Sequence, residues 1–400
     1  MIEKNKSIGN FPNCGNSNNV PRLRFAEFTD EWEEVTLGNC SESIDYGMNA
    51  SATKFDGENK YIRITDIDES SSKYKSEFPV SPAKDLIDKF LVKENDILFA
   101  RTGASTGKSY IYDSNDGKLY FAGFLIRAKI KSIFNSHFIF LQTQTKKYDR
   151  WVKLMSMRSG QPGINSQEYS SYSFKIPKKF EQDKISLSLI QIDSRIHTQR
   201  KIIDNLEYLM LGFRKKIFTQ KLRFKGSLGN DFPDWNESKL ENICQKQSSN
   251  ISANKIEDNF GDYIIYGASG VVKKVDFYEE ENYYISIVKD GAGVGRLFFC
   301  EGKSSVLGTM EIIKPKLDVN VHFLFYQLNN IDFKKYVTGS TIPHIYFKDY
   351  KKESIKIPSL EEQTKIANFL FSIDKKLETE KKILFQYETQ KKYLLANLFV

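Results

Sequence analysis

The sequence predicts an α+β chain in which two repeated α/β heads are separated by a long antiparallel two-helix coiled coil. Three observations lead there: an internal repeat, an apolar heptad seam in the tail of each copy, and short β-rich runs around glycine turns in each body. The 400 residues allow two or three domains, and 40% apolar content is enough to give each a buried core. Mean hydropathy is −0.47, 28% of residues are charged, and the absence of any apolar run of about 18 residues excludes a membrane-spanning helix.

The repeat is clearest in the tails. Ser173-Phe174-Lys175-Ile176-Pro177, followed by Glu181, Gln182 and Ile185, recurs 181 residues later as Ser354-Ile355-Lys356-Ile357-Pro358, followed by Glu362, Gln363 and Ile366. Leu189, Ile192, Asp193, Ile202, Glu207 and Phe218 return at the same offset as Leu370, Ile373, Asp374, Ile383, Glu388 and Phe399. The fronts match as well: Leu23-Arg24-Phe25 with Trp32 faces Leu222-Arg223-Phe224 with Trp235, the tryptophans lying 203 residues apart, so the second body is 22 residues shorter. A shared frame carries two divergent bodies.

The elements follow in chain order. Residues 1–19, rich in Ser, Asn and Gly, read as a loose tail. Met1-Ile2-Glu3-Lys4-Asn5-Lys6 leads into no apolar run, so neither a signal peptide nor an anchor is expected, and the predicted location is cytoplasmic. Residues 20–178 form the first head. Strands are expected at Asp96 to Ala100, Ser109 to Tyr112 and Tyr120 to Ile130, and Asn135 is placed to cap a short amphipathic helix. Residues 179–220 form the central helix, with a seam of Ile185, Leu189, Ile192, Ile196, Ile203, Leu206, Met210, Phe213 and Ile217 in alternating steps of four and three, interrupted only at Gln199.

Residues 221–359 form the second head, with strands expected at Tyr283 to Val288, Arg296 to Cys300 and Val306 to Ile313, and a helix capped by Asn320. Residues 360–400 repeat the seam as Ile366, Leu370, Ile373, Leu377, Leu384, Tyr387, Leu394 and Leu398, with Glu380 in register opposite Gln199 and Lys391 in place of Met210. Each seam must be buried, and the other helix is the natural partner. Since the first helix leaves head one and the second leaves head two, antiparallel pairing gives a pseudo-two-fold dumbbell with a stiff spacer.

Charge and cysteine use narrow the function classes. The net charge of +8 suits an anionic partner. Nine Lys or Arg against Asp204 and Glu207 lie between Arg195 and Lys225, which fits either an anion-facing surface or a solvated helix face. Cys14, Cys40, Cys244 and Cys300 are scattered, without Cys-x-x-Cys or His at ligand spacing, so neither a disulfide framework nor a metal site is expected.

Two paired loops carry the candidate site. Gly103-Ala104-Ser105-Thr106-Gly107-Lys108 imitates a phosphate loop, but it has three residues between the glycines where that motif has four, and it runs into a strand rather than a helix. In both copies a Gly-rich loop is bracketed by cations, Arg101 and Lys108 in one, Lys289 and Arg296 in the other. With Thr102, Ser105 and Thr106, these suit contacts to DNA phosphates or guanine edges; a tight structural turn with solvated ends is the other reading. A second pair surrounds a common proline. Arg158, Gln161 and Asn165 around Pro162, and Ser340, Thr341 and His344 around Pro343, either bond DNA or close the domain.

No catalytic set is found. Pro233-Asp234 with Glu237-Ser238-Lys239 imitates a nuclease carboxylate set, yet its residues sit too close together and fall in the repeat frame. There is no methyltransferase tetrad, His-Glu-x-x-His or Gly-x-Ser-x-Gly. His137 and His322 share a position on apolar helices and read as core residues.

The frame motifs, the Asp96-Ile97-Leu98-Phe99-Ala100-Arg101-Thr102-Gly103 run, the Ile-Pro plus Glu-Gln signature before each heptad helix and the duplicated plan resemble the specificity (S) subunit of type I restriction-modification systems. The resemblance covers nearly all of the chain after Asn19. It implies a non-catalytic reader of double-stranded DNA, whose two target recognition domains each read half of a split sequence while the helices set the gap. It also implies two methyltransferase (M) subunits that bind S-adenosylmethionine and two restriction/translocase (R) subunits that use ATP with magnesium. No cofactor is expected in this chain, and no membrane partner. The competing class is a non-catalytic coiled-coil scaffold whose two heads bind protein or glycan.

Overall fold

The computed structural model describes residues 19–157 and 160–400. The tail expected at 1–19 therefore falls almost wholly outside the described residues, as do Cys14 and Arg158. The chain divides into two compact units, residues 1–198 with 384–400, and residues 199–383. Both long helices are shared between the units.

In the first unit the chain runs through β1 (Glu33–Thr36), α1 (Leu37–Cys40), β2 (Ser41–Tyr46), β3 (Ala52–Lys54), β4 (Lys60–Ile62), β5 (Val80–Pro82), β6 (Asp96–Ala100), β7 (Ser109–Ile111), β8 (Leu119–Phe121), β9 (Leu125–Ile130), α2 (Ser136–Gln142), α3 (Lys146–Met155), α4 (Ser166–Ser170) and β10 (Ser173–Ile176) into α5 (Lys179–Phe218). An antiparallel sheet in the order β2-β9-β6-β7 forms its centre. β6 is buried along its whole length, because the sheet is covered on both faces.

The second unit continues with β11 (Asn236–Lys239), α6 (Leu240–Ile243), β12 (Cys244–Ser248), β13 (Tyr263–Gly267), β14 (Gly270–Val275), β15 (Tyr284–Val288), β16 (Leu297–Cys300), β17 (Ser304–Val306), β18 (Met310–Pro315), α7 (Val321–Leu328), α8 (Phe347–Tyr350), β19 (Ser354–Ile357) and α9 (Leu360–Asn397). Its sheet order, β12-β18-β15-β16, repeats that of the first unit strand for strand. In each unit the frame closes on itself: β1 pairs antiparallel with β10, and β11 with β19. Asn135 and Asn320 cap α2 and α7 as expected, accepting from Phe138 N and from His322 N and Phe323 N.

One expectation fails identically in both copies. The run from Tyr120 to Ile130 is two strands, β8 and β9, and that from Val306 to Ile313 is also two, β17 and β18. β8 pairs in parallel with β4, and β17 with β13; tight turns through Gly123 and Gly308 then carry the chain into the central sheet. Apolar residues continue across each turn because both strands are buried, which hides the break from periodicity.

The frame motifs meet at one place in each unit. Glu181, in the first turn of α5, is 2% exposed and accepts two bonds from Arg24, each 2.8 Å, and one from Trp32 Nε1. Glu362, in the first turn of α9, is 0% exposed and accepts from Arg223 at 2.9 and 3.2 Å and from Trp235 Nε1 at 3.1 Å. The neighbouring glutamines match too. Gln182 accepts from Asn135 N and donates to Pro177 O, and Gln363 accepts from Asn320 N and donates to Pro358 O.

No seam residue of either helix is exposed. Ile192, Ile196 and Ile203 are buried and Leu206, Leu377 and Leu384 half-buried. The seam ends join the core of each unit: Ile185, Leu189 and Leu398, with Leu394 against them, pack with Trp32 and Phe138. Met210, Ile217, Ile366 and Leu370, with Phe213 and Ile373 against them, pack with Trp235 and Phe323. The helices pack antiparallel. In the first unit Lys391 bonds Asp193 at 2.6 Å and Arg195 lies over Tyr387; in the second, Gln199 donates to Glu380 at 2.5 Å and Phe213 meets Phe369.

Removing a buried carboxylate from such a node strands its donors. Glu362→Ala is expected to lower unfolding stability by about 3 kcal/mol, read as a lower urea midpoint of the purified chain. An unchanged midpoint would remove the node from the account of the fold.

Candidate nucleic-acid interface

The two candidate loops of each copy lie against each other. β6 and β7 are joined by the Gly loop: Ala100 N donates to Lys108 O at 2.8 Å and Gly107 N to Ala100 O at 3.0 Å. The proline loop then clasps it through two main-chain bonds, Gly103 N to Pro162 O at 2.9 Å and Ile164 N to Arg101 O at 2.9 Å. In the second unit Val288 N donates to Arg296 O at 2.9 Å and Gly295 N to Val288 O at 2.8 Å. Its clasp is Gly291 N to Pro343 O at 2.8 Å and Ile345 N to Lys289 O at 2.9 Å. The two clasps correspond bond for bond.

Glycine is required at the loop ends. Gly103, Gly107, Gly291 and Gly295 have φ of +69°, +91°, +85° and +84°. A Cβ on Gly107 would stand 2.5 Å from Val152 Cγ1, and one on Gly295 2.8 Å from Phe333 Cβ. The loop runs into β7, a strand, so no helix N-terminus follows it.

The individual side chains divide by use. The Arg101 guanidinium lies over the Tyr46 ring, 4.8 Å from its centroid, and donates to Gly123 O at 3.4 Å. Burial raises the Tyr46 phenol, but hydrogen bonding to Ser166 and the Arg101 charge outweigh it and hold the group below the usual tyrosine range. Lys108 pairs with Glu69 at 3.2 Å, a loop carboxylate that is 86% exposed. Thr102 bridges Gly163, Ser105 is half-buried, and the Thr106 hydroxyl donates to Gly103 O. Gln161 is exposed beside Gly103. Asn165 caps α4, accepting from Glu168 N while Glu168 accepts from Asn165 N.

In the second unit Arg296 is exposed and donates to Ala268 O at 3.2 Å, and Lys289 is half-buried. Ser340 and Thr341 are exposed; His344 exchanges main-chain bonds with Thr338 and sets its ring against Tyr346. Arg101, Gln161, Lys289, Arg296, Ser340, Thr341 and His344 thus keep polar groups at the loop surfaces, whereas Asn165 and Thr106 spend theirs on the fold. Sequence reading missed Glu69 and Tyr46, which lie far from the loops in the chain and carry no motif.

Burial pushes the Cys40, Cys244 and Cys300 thiols up to about 12, 12 and 11, so none is a thiolate at neutral pH. Among the described residues no His, Cys, Asp and Glu group could hold a metal ion, and no helix is long and apolar enough to cross a membrane. His322 stacks on Phe299 at 4.2 Å, and Asn236–Lys239 form frame strand β11, which accounts for the nuclease-like run.

A duplicated α/β unit with a clasped cationic loop, built on a shared helix pair, defines a chain with two related recognition units. Residues 29–208 and 233–388 match the Type I restriction modification DNA specificity domain, and the chain belongs to that family. It is 26% identical over 409 residues to the putative type I restriction enzyme MjaX specificity subunit of Methanocaldococcus jannaschii, covering 95% of both chains. It is likewise 26% identical over 418 residues to the MjaVIII specificity subunit of that organism, again with 95% coverage of each. Its fold is similar to the crystal structure of the type I restriction-modification S subunit from M. genitalium, with a TM-score of 0.72 at 17% identity, over 95% of this chain and 99% of that one.

A side chain at a glycine of the loop should strain it. Gly107→Ala is expected to lower stability by about 1–3 kcal/mol, whereas Gly160→Ala, whose Cβ would meet nothing within 4 Å, should leave the urea midpoint unchanged.

Proposed function

We propose that this chain is the DNA-reading specificity subunit of a type I restriction-modification complex, each unit reading one half of a split target. The observation that carries this reading is the repeated clasp: two bodies that differ in length and sequence present the same cation-bracketed loop. Such a loop brings main chain and cations close to a polyanion, and flanking side chains that differ between copies suit two different half-sites. Membership of the family favours this over a scaffold for protein or glycan.

On this reading α5 and α9 set the gap between half-sites and offer docking surface to two M subunits, with two R subunits completing the assembly. Chemistry belongs to those partners: S-adenosylmethionine serves methyl transfer on M, and ATP with magnesium serves R. This chain acts without a cofactor and catalyses neither reaction. The cytoplasm, where the DNA is, is its place of work.

Methylation profiling of cells with and without the chain tests the reading, and loss of no methylated motif would overturn it. Replacing residues 20–164 with those of another family member is expected to change one half of that motif only; a change in both halves would refute independent reading. Among the bracketing cations, a phosphate contact changed to Ala should weaken binding to all duplexes and flatten the log-affinity against log-salt slope by about one unit. Wild-type affinity, slope and preference in Arg101→Ala, Lys108→Ala, Lys289→Ala and Arg296→Ala would show the loops to be structural.

A further inference from the structure

The repeated hydrogen bonds align the two units residue by residue beyond the loops. Arg101 N donates to Phe124 O at 3.0 Å and Lys289 N to Thr309 O at 3.0 Å, so Phe124 and Thr309 occupy one position. Leu125 N donates to Ala122 O as Met310 N does to Leu307 O, which makes Ile126 and Glu311 equivalent. Tyr46 pairs with Ile126 across β2 and β9, and Ser248 with Glu311 across β12 and β18, so Tyr46 and Ser248 are equivalent too. Around one main-chain frame the first unit therefore sets Tyr46, Arg101 and Phe124 where the second sets Ser248, Lys289 and Thr309.

These three side chains form one surface. Tyr46 is tied down by Ser166 N, which donates to its hydroxyl at 3.1 Å, and its ring carries the Arg101 guanidinium at 4.8 Å. Arg101 also bonds Gly123 O, next to Phe124, which is 60% exposed although it is large and apolar. Together they border a cleft of about 580 Å3 beside the Gly loop. A guanidinium held against a ring has less freedom to lose on binding, and its fork matches two acceptors in one plane. Of the base edges in the major groove, O6 and N7 of guanine present that pair. An exposed phenyl at its side excludes water from the bonds so formed. Lys289, a point charge with Ser248 and Thr309 at the positions of Tyr46 and Phe124, has neither the planar fork nor the ring that holds it.

We propose that Arg101 reads a guanine in the half-site of the first unit through O6 and N7, with Tyr46 as the residue that positions its guanidinium and Phe124 as the apolar wall beside it. The second unit has no counterpart. This rests on the DNA-reading function proposed above and specifies which base one half-site must contain.

The test uses the complex of the full chain with its methyltransferase subunits, and duplexes carrying the methylated motif. Each guanine of the half-site assigned to the first unit by segment exchange is replaced in turn by 7-deazaguanine, which lacks N7 as an acceptor. At one such position the wild-type complex is expected to lose affinity about 5-fold or somewhat more, the lower part of what a bidentate contact is worth, because O6 remains to accept one bond. Arg101→Ala, which leaves no donor there, should bind the natural and 7-deaza duplexes equally while answering substitutions in the other half-site as wild type does, which also verifies folding. Tyr46→Phe should keep the discrimination and Tyr46→Leu lose most of it. A half-site without guanine, or an Arg101→Ala complex as sensitive to 7-deazaguanine as wild type at every position, overturns the proposal and leaves DNA reading intact. A wild-type complex with no sequence preference at all overturns both.

Discussion

A carboxylate buried in the first turn of a long helix is the constraint on which each unit depends. Glu181 and Glu362 are placed where the partial positive charge of a helix N-terminus favours an anion, but burial requires every lone pair to be answered. Arg24 and Trp32 answer Glu181, and Arg223 and Trp235 answer Glu362. The segment before the body, the tryptophan at its entry and the helix at its exit are thereby held to one point. The adjacent Gln182 or Gln363 extends the hold to the cap of the next helix, through Asn135 or Asn320. This explains why the frame survives in two copies whose bodies have diverged: a node of five or so mutually dependent polar groups tolerates no partial replacement.

The helices serve the units as core before they serve as anything else. Ile185 and Leu189 face Trp32 and Phe138, and Ile366 and Leu370 face Trp235 and Phe323. Toward the middle the polar exceptions of the two seams find each other, the Gln199 side-chain amide donating to both the main-chain O and the Oε2 of Glu380. A slip of the helices by one heptad would bury that pair against aliphatic side chains, so it favours one register. Each unit's stability is consequently tied to the correct pairing of α5 with α9.

Much of this was legible in the sequence because it is periodic or repeated. The alternating four-and-three steps found the helices, and the twofold occurrence of Ile-Pro with Glu-Gln found the frame. What escaped was contact between distant segments. Nothing in the chain near Lys108 announces Glu69, and nothing near Arg101 announces Tyr46. The offset between copies drifts through the body, so only main-chain hydrogen bonds reveal that Phe124 stands where Thr309 does. For Asn165, a short polar side chain after a Gly-Ile turn suits both contact and closure of the domain, and the structure shows it as the cap of α4.

The main-chain bonds of the clasp between the Gly loop and the proline loop join Gly103 with Pro162, Arg101 with Ile164, Gly291 with Pro343 and Lys289 with Ile345, and in the first unit the Thr106 hydroxyl adds a 3.3 Å bond to Pro162 O. Substitution of the side chains that ride on it leaves those bonds in place, provided the glycines and prolines stay. The outward-facing residues are therefore free to drift under selection while the platform needs no compensating change. On the DNA-reading role proposed for these loops, a change of recognised sequence needs only single substitutions on a platform that stays folded.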